Sequence, residues 1–231
     1  MREYNGNIAQ WNFEKFKSIA KELYRVTKDG GVVVWIVADE TSKGSESGTS
    51  FRQALYFKEC GFKLYDTMIW YKQLSGAIGS MKRYENTFEY MFVLSKGMPK
   101  TTNIIKDKKN KNCGKVLHGT VRQRDGGLKP RGNANGSKKT AEYGRRHNVW
   151  SIYPERRNKT IHPAVFPEQL ARDHIISWSN EGDIVLDCFM GSGTTGLACI
   201  DTNRHFVGIE LDDTYYEIAK QRIDNAVFSL Q

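Results

Sequence analysis

The sequence predicts an α/β fold, a largely parallel sheet with an antiparallel edge hairpin and a basic irregular insertion. Three observations carry that expectation. Apolar runs alternate with amphipathic stretches near both ends of the chain, the pattern of strands covered by helices. A glycine-rich run, Gly191-Ser192-Gly193-Thr194-Thr195-Gly196, stands between a short apolar strand and a helical stretch. Lys and Arg crowd into one interval that has no sustained period.

The spacing of Phe13, Phe16, Ala20, Leu23 and Val26 predicts a helix over Asn12 to Lys28, with Asn12 as N-cap and Asp29-Gly30-Gly31 as its stop. The β-branched run Val32 to Ala38 reads as a parallel strand covered on both faces. A polar loop, Asp39 to Gly48, leads to a second helix from Ser50 to Cys60, ended by Gly61. Phe62 to Lys72 and Thr87 to Lys96 read as an antiparallel pair at one edge of the sheet. Order returns at Asn148-Val149-Trp150. Beyond it come a helix from Glu168 to Trp178 with Pro167 near its first turn, a short buried strand Asp183 to Asp187, and a helix Thr194 to Asp201. A strand His205 to Ile209 and a helix from Asp213 to about Val227 complete the chain. This divides the sequence into 1–96, an insertion 97–147, and 148–231.

The formal charge of +9 has one source. From Lys96 to Arg146 there are 15 Lys and Arg against three acids, so the rest of the chain is slightly acidic. No run of eighteen apolar residues and no apolar N-terminal block occurs, which argues against a membrane span or signal peptide. Four cysteines without a C-x-x-C pair suggest neither a zinc site nor a disulfide framework, and fit a reducing cytoplasm.

The glycine run matches G-x-G-x-x-G. By itself that match is weak, because two glycines can serve only a tight turn. Its context is stronger: the run follows a strand and opens a helix, and Glu210 lies 19 residues past Gly191 at the end of the next strand. A carboxylate there suits a ribose diol, while glycines let a backbone approach a nucleoside ligand. A nicotinamide dinucleotide and S-adenosylmethionine both satisfy this pattern. The first would need a second half-domain, and only about twenty residues remain after Glu210.

The blocks D-C-F-M-G-S-G-T-T, I-H-P-A-V-F-P-E-Q-L and G-I-E-L-D, spanning Ile161 to Asp212, resemble the cofactor half of the β-group of DNA amino-methyltransferases. R-V-T-K-D-G-G-V-V-V-W-I-V and F-E-Y-M-F-V-L-S-K-G resemble that group's corresponding strands. The resemblance implies an S-adenosylmethionine-dependent, Rossmann-like methyltransferase sheet that modifies adenine N6 or cytosine N4 in double-stranded DNA. It places the protein among cytoplasmic, bacterial or phage-type enzymes of DNA methylation and restriction-modification. Carried over by position, Asp187, Phe189, Gly191, Ser192, Gly193, Thr194 and Thr195 would shape the donor pocket, Glu210 would hold the ribose, and His162 and Pro163 would stand beside the methionine end. For His162 a turn residue bonded to backbone is the competing reading.

The resemblance makes the basic interval a target-recognition region, with Lys106, Lys108, Lys109, Lys111, Lys115, Arg122, Arg124, Arg131, Arg145 and Arg146 toward phosphates or guanine edges. A solvated lysine-rich loop is the plainer alternative. The family's catalytic motif, a polar residue followed by Pro-Pro-Tyr, has no counterpart here, since all five prolines are isolated. No catalytic residue and no metal ligand is therefore assigned. The chain is read as truncated before that motif, lacking one central strand and completed by a missing N-terminal segment or a second chain. A catalytically inactive DNA-binding or regulatory remnant is the rival, and an RNA methyltransferase a third reading.

Overall fold

The computed structural model describes residues 11–72, 82–131, 138–154 and 167–229. The chain forms two compact units, Met1–Asn103 with Asn148–Gln231, and Ile104–His147.

In the larger unit, helix α1 (Phe13–Val26) begins where Asn12 accepts the Lys15 N–H through its side chain. Its Phe16, Ala20 and Leu23 are buried. Strand β1 (Val32–Val37) follows, then a small hairpin of β2 (Thr41–Ser42) and β3 (Ser45–Glu46), and helix α2 (Thr49–Glu59). The N-cap of α2 is Gly48, which offers no side chain. Asp39 supplies the missing acceptor from outside the helix, taking the Ser50 N–H at 3.0 Å and the Ser47 hydroxyl at 2.9 Å, with the Ser50 hydroxyl also donating to it. Burial pushes this carboxyl up, and the Ser50, Ser47 and Thr49 hydrogen bonds outweigh burial and hold it below its ordinary value.

Strands β4 (Lys63–Tyr71) and β5 (Phe88–Ser95) pair antiparallel over their whole length. They are not an edge pair. The sheet order is β1-β5-β4-β10, so β5 is interior, and β10 (Val149–Ser151) joins β4 in parallel at the rim. The interior position suits β5, whose Met91-Phe92-Val93-Leu94 are all buried. Strand β1 pairs with β5, and the pairing is antiparallel rather than parallel. One core, on the α1 and α2 side, is built from Phe16, Phe57, Phe62, Phe92 and Leu94. A second gathers Met68, Trp70, Met91, Val93, Trp150 and Leu170 against helix α3 (Glu168–Trp178).

Strands β11 (Ile184–Asp187) and β12 (His205–Gly208) form a separate parallel pair, joined through helix α4 (Thr194–Asp201) and followed by helix α5 (Asp213–Phe228). Val185 and Phe206 pack on Ala171, Ile175, Ala198 and Cys199. The opposite face departs from the expected buried strand: Ile184, Leu186, Val207 and Ile209 are 62, 39, 48 and 49% exposed. Among the described residues, helices cover one face of this pair and its outer backbone edges carry no ladder partner.

Gly196 sets the spacing of α4, α5 and β12. A Cβ there would lie 2.5 Å from Ile223 Cδ1 and 2.9 Å from Phe206 Cε1. Gly196→Ala should therefore destabilise the fold by about 1–3 kcal/mol through overpacking, and Ile223→Val in the same chain should recover part of the loss, read by denaturant unfolding.

Candidate functional site

The carboxyl ends of β11 and β12 carry the two acids that the sequence singles out. In open α/β sheets this is the end where ligands bind. Asp187, the last residue of β11, accepts the Phe189 N–H at 3.0 Å on one oxygen and the Thr195 hydroxyl at 2.6 Å on the other. The strand-to-helix turn is thereby tied at its start and at the first turn of α4. Gly191 and Gly193 both take left-handed backbone, at φ 51° and 81°.

Glu210 follows β12 and reaches across to the same loop. One carboxylate oxygen accepts the Gly191 N–H at 2.9 Å, and the other accepts Leu211 N–H at 2.9 Å and Asp212 N–H at 3.0 Å. Backbone bonds reinforce the junction, with Ile209 N–H to Asp187 O at 2.9 Å and Met190 N–H to Ile209 O at 3.1 Å. An ionised carboxylate offers about four acceptor sites. Three are filled, so a diol bonding through both hydroxyls must share or displace one N–H.

The glycines divide by purpose. A Cβ on Gly193 would meet Ala219 Cβ at 3.0 Å, and Gly196 abuts Ile223, so these two serve the packing of α5 as well as the turn. Gly191 contributes the N–H that Glu210 holds. Ser192 and Thr194 are buried. Phe189 is 48% exposed, with its ring edge-on to Trp11 at 5.6 Å and to Trp35 at 6.1 Å. Trp35 is itself fixed by donating its Nε1–H to Gln53 at 2.7 Å.

His162 and Pro163 lie outside the described residues. Asp187, Phe189, Gly191, Ser192, Gly193, Thr194, Thr195 and Glu210 come together at one end of the β11–β12 pair. Four contributing residues escaped the sequence reading. Arg222 of α5 donates to both the Ser192 carbonyl and its hydroxyl, Leu211 is 93% exposed beside Glu210, and Trp11 and Trp35 flank Phe189. A signal existed for Arg222, a cation between Ala219 and Ile223 on the inward side of α5.

The basic candidates fall in the smaller unit. Lys108 and Lys109 form β6 (Lys108–Lys109), Arg122 ends β7 (Thr120–Arg122), Arg131 follows β8 (Leu128–Pro130), and Arg145 and Arg146 follow β9 (Tyr143–Gly144). Lys106, Lys111 and Lys115 lie in the connecting stretches, and Arg124 in the turn between β7 and β8. Arg146 is an exception to a solvated cation, since it donates to Asp107 at 2.7 Å.

Two thiols near the loop are held protonated. Burial, then the charge of Asp187, pushes Cys188 up to about 11 and Cys199 up to about 12. At pH 8 the thiolate fraction of Cys188 is about one in a thousand. Iodoacetamide at pH 8 should therefore label exposed Cys113 first and leave Cys188 and Cys199 unlabelled in the native protein, as peptide mass spectrometry would report. Arg222→Met should cost about 2 kcal/mol, because it leaves the Ser192 carbonyl without its charged donor, and thermal unfolding would measure it.

Known proteins resemble this chain in sequence and in fold. The DNA methylase model N6_N4_Mtase matches residues 3–221. Orphan methyltransferase M.BamHII of Bacillus amyloliquefaciens is 51% identical over 235 residues, 98% of this chain and 85% of that protein. Type II methyltransferase M.SmaI of Serratia marcescens is 32% identical over 176 residues, 76% of this chain and 51% of that protein. Among solved structures, the M1.HpyAVI–SAM complex superposes with a TM-score of 0.64 at 25% identity, covering 91% of this chain and 83% of that one. The cytosine-N4-specific PvuII DNA methyltransferase, at 20% identity and a TM-score of 0.66, covers 97% and 78% and is alike in fold. With a family match over most of its length and half its residues shared with M.BamHII, the chain belongs to the N6/N4 DNA methylase family.

Proposed function

We propose that the chain binds S-adenosylmethionine at the Asp187–Thr195 loop and serves methylation of an exocyclic amino nitrogen, adenine N6 or cytosine N4, in double-stranded DNA. The bond from the Gly191 N–H to Glu210 carries this reading, because it joins a glycine-rich loop to an acid at the end of the next strand, where a nucleoside ribose and its attached group fit. The donor set suits that ligand: a carboxylate with acceptor capacity left, an exposed ring at Phe189 and an apolar side chain at Leu211. The presence of S-adenosylmethionine in the M1.HpyAVI complex supports the same choice of donor.

When bound, the donor supplies an electrophilic methyl on a sulfonium sulfur. The residues of this chain bind and orient. Glu210 takes a ribose hydroxyl, Asp187 and Thr195 hold the loop in register, Phe189 offers a ring to an aromatic group, and Gly191 allows close backbone approach. Lys106, Lys108, Lys109, Lys111 and Lys115, with Arg122, Arg124, Arg131, Arg145 and Arg146, hold phosphates or base edges in the target. His162 and Pro163 stand in the proposal beside the donor's methionine end.

An exocyclic amine is a poor nucleophile, because its lone pair is conjugated with the ring. It needs polar groups that hydrogen-bond the amine and a ring that stacks on the extruded base. With no two prolines adjacent, this chain has no Pro-Pro-Tyr motif to supply them. In the proposal such a segment, in the same chain or a second one, completes the enzyme. A DNA-binding or regulatory remnant is the second reading, and the same absence favours it.

Calorimetric titration with S-adenosylmethionine should give saturable binding, weakened at least tenfold by Glu210→Gln. Methyl incorporation should favour duplex DNA over RNA, stay slow with the chain alone, and rise when a polar-Pro-Pro-Tyr segment is joined ahead of α1. Nucleoside mass spectrometry would then tell N6-methyladenine from N4-methylcytosine. Binding of NAD in place of S-adenosylmethionine would overturn the cofactor assignment, and fast transfer by the bare chain would overturn the need for a completing segment.

A further inference from the structure

The basic unit is a long antiparallel ribbon folded back on itself. Moving outward along it, Arg146 N–H bonds Ile105 O, β6 pairs with β9, Asn110 N–H bonds Glu142 O, Thr140 N–H bonds Lys115 O, Val116 bridges Lys139, Leu117 N–H bonds Lys138 O, and Arg131 N–H bonds Gly119 O. The pairing of β7 with β8 continues the ladder to a closed tip at Gln123–Gly127.

The tip has a defined turn. Gly126 N–H bonds Gln123 O, Gly126 sits at φ 85°, and Asp125 accepts the Gly127 N–H at 2.9 Å. This is the turn followed by a left-handed glycine that closes short hairpins, and it leaves Arg124 at the apex. From His118 to Arg131 every residue but Gln123 is exposed, Val121 and Leu128 included, at 44 and 67%. A two-stranded hairpin that buries nothing of its own is marginal in water, and among the described residues both of its faces are exposed.

Charge separates the two ends of the ribbon. At the inner end, Arg146 is paired with Asp107, and Lys108 donates to His147 at 2.9 Å. At the outer end Arg122, Arg124, Lys129 and Arg131 stand against one acid, Asp125, whose carboxylate is used in the turn. None of these four cations has an ion pair or side-chain hydrogen bond among the described residues. The major groove of duplex DNA, about 12 Å wide, admits a two-stranded ribbon, and guanine offers arginine a two-acceptor edge.

Resting on the DNA-methylation reading above, we propose that the hairpin Gly119–Arg131 is the base-reading element, entering the major groove with Arg122 and Arg124 on guanine edges, while the inner cations engage phosphate. Arg122 and Arg124 thus determine specificity, and Lys108 and Lys109 determine affinity.

The experiment retains random-sequence duplexes on the full chain and sequences those that stay bound. The wild-type chain should enrich one motif containing guanine. Arg122→Lys with Arg124→Lys keeps the charge but removes the two-pronged guanidinium, so preference at one or two guanine positions should fall about five- to a hundredfold, with binding of unrelated duplex nearly unchanged. Lys108→Ala with Lys109→Ala should weaken all sequences alike and lower the logarithmic salt slope by nearly two, with the motif intact. Circular dichroism confirms that both variants are folded. An unchanged motif in the double lysine variant, or a wild-type chain that retains duplex without any motif, would overturn the proposal while the DNA-methylation reading stands. Failure of the wild-type chain to retain any duplex would overturn both.

Discussion

Glu210 joins two loops that two backbone hydrogen bonds also hold together, and the geometry of the candidate site depends on it. Its carboxylate accepts one N–H from the turn after β11 and two from the turn after β12. A negative charge placed on three backbone donors fixes the distance between those turns more firmly than apolar contact would. Asp187 repeats the device on a smaller scale, bonding Phe189 and Thr195 within one turn. The left-handed backbone at Gly191 and Gly193, the buried Ser192 and the start of α4 all lie in the stretch that these two carboxylates tie down. A ligand arriving here meets acceptors already held in place, so little ordering cost remains to be met on binding.

Much of this was legible in the sequence where the information is local. The start of α1 at its Asn12 cap, the bounds of α3 and α4, and the spacing of Gly191 and Glu210 all depend on residues a few positions apart or on one strand-to-helix unit. The place of β5 was not legible in the same way. Its partners β1 and β4 are set by long-range pairing, and an antiparallel pair reads alike at a rim or in the interior. The buried run Met91 to Leu94 was the available signal, because a rim strand would alternate. The packing roles of Gly193 and Gly196 were equally hidden. They depend on Ala219 and Ile223, more than twenty residues away, whereas the glycine pattern alone suggests only ligand approach.

The basic interval looked aperiodic because its ladders are two or three residues long, too short to show alternation. Its one strong local signal was Arg124-Asp125-Gly126-Gly127, a turn sequence that the tip of the ribbon uses. The smaller unit holds thirteen Lys and Arg against three acids, so the protein's net positive charge, though not most of its cations, belongs to a part that has little apolar core of its own. Folding energy and charge are thus housed apart. The larger unit supplies the cores of Phe16, Phe57 and Trp70, and the smaller one can vary in sequence with little cost to them.

The apolar face that the β11–β12 pair exposes among the described residues responds to salt in the opposite sense to a cationic surface. Among the described residues, Ile184, Leu186, Val207 and Ile209 are exposed beside strand edges that carry no ladder partner, a kind of surface that draws other apolar surfaces to it. Salting-out ions strengthen such association by being excluded from the protein surface, while every added ion would weaken the attraction of the proposed Lys and Arg contacts for phosphate. Raising the concentration of a salt such as sulfate therefore exchanges one kind of stickiness for the other. An intermediate ionic strength, where neither dominates, is where the protein is most nearly solitary.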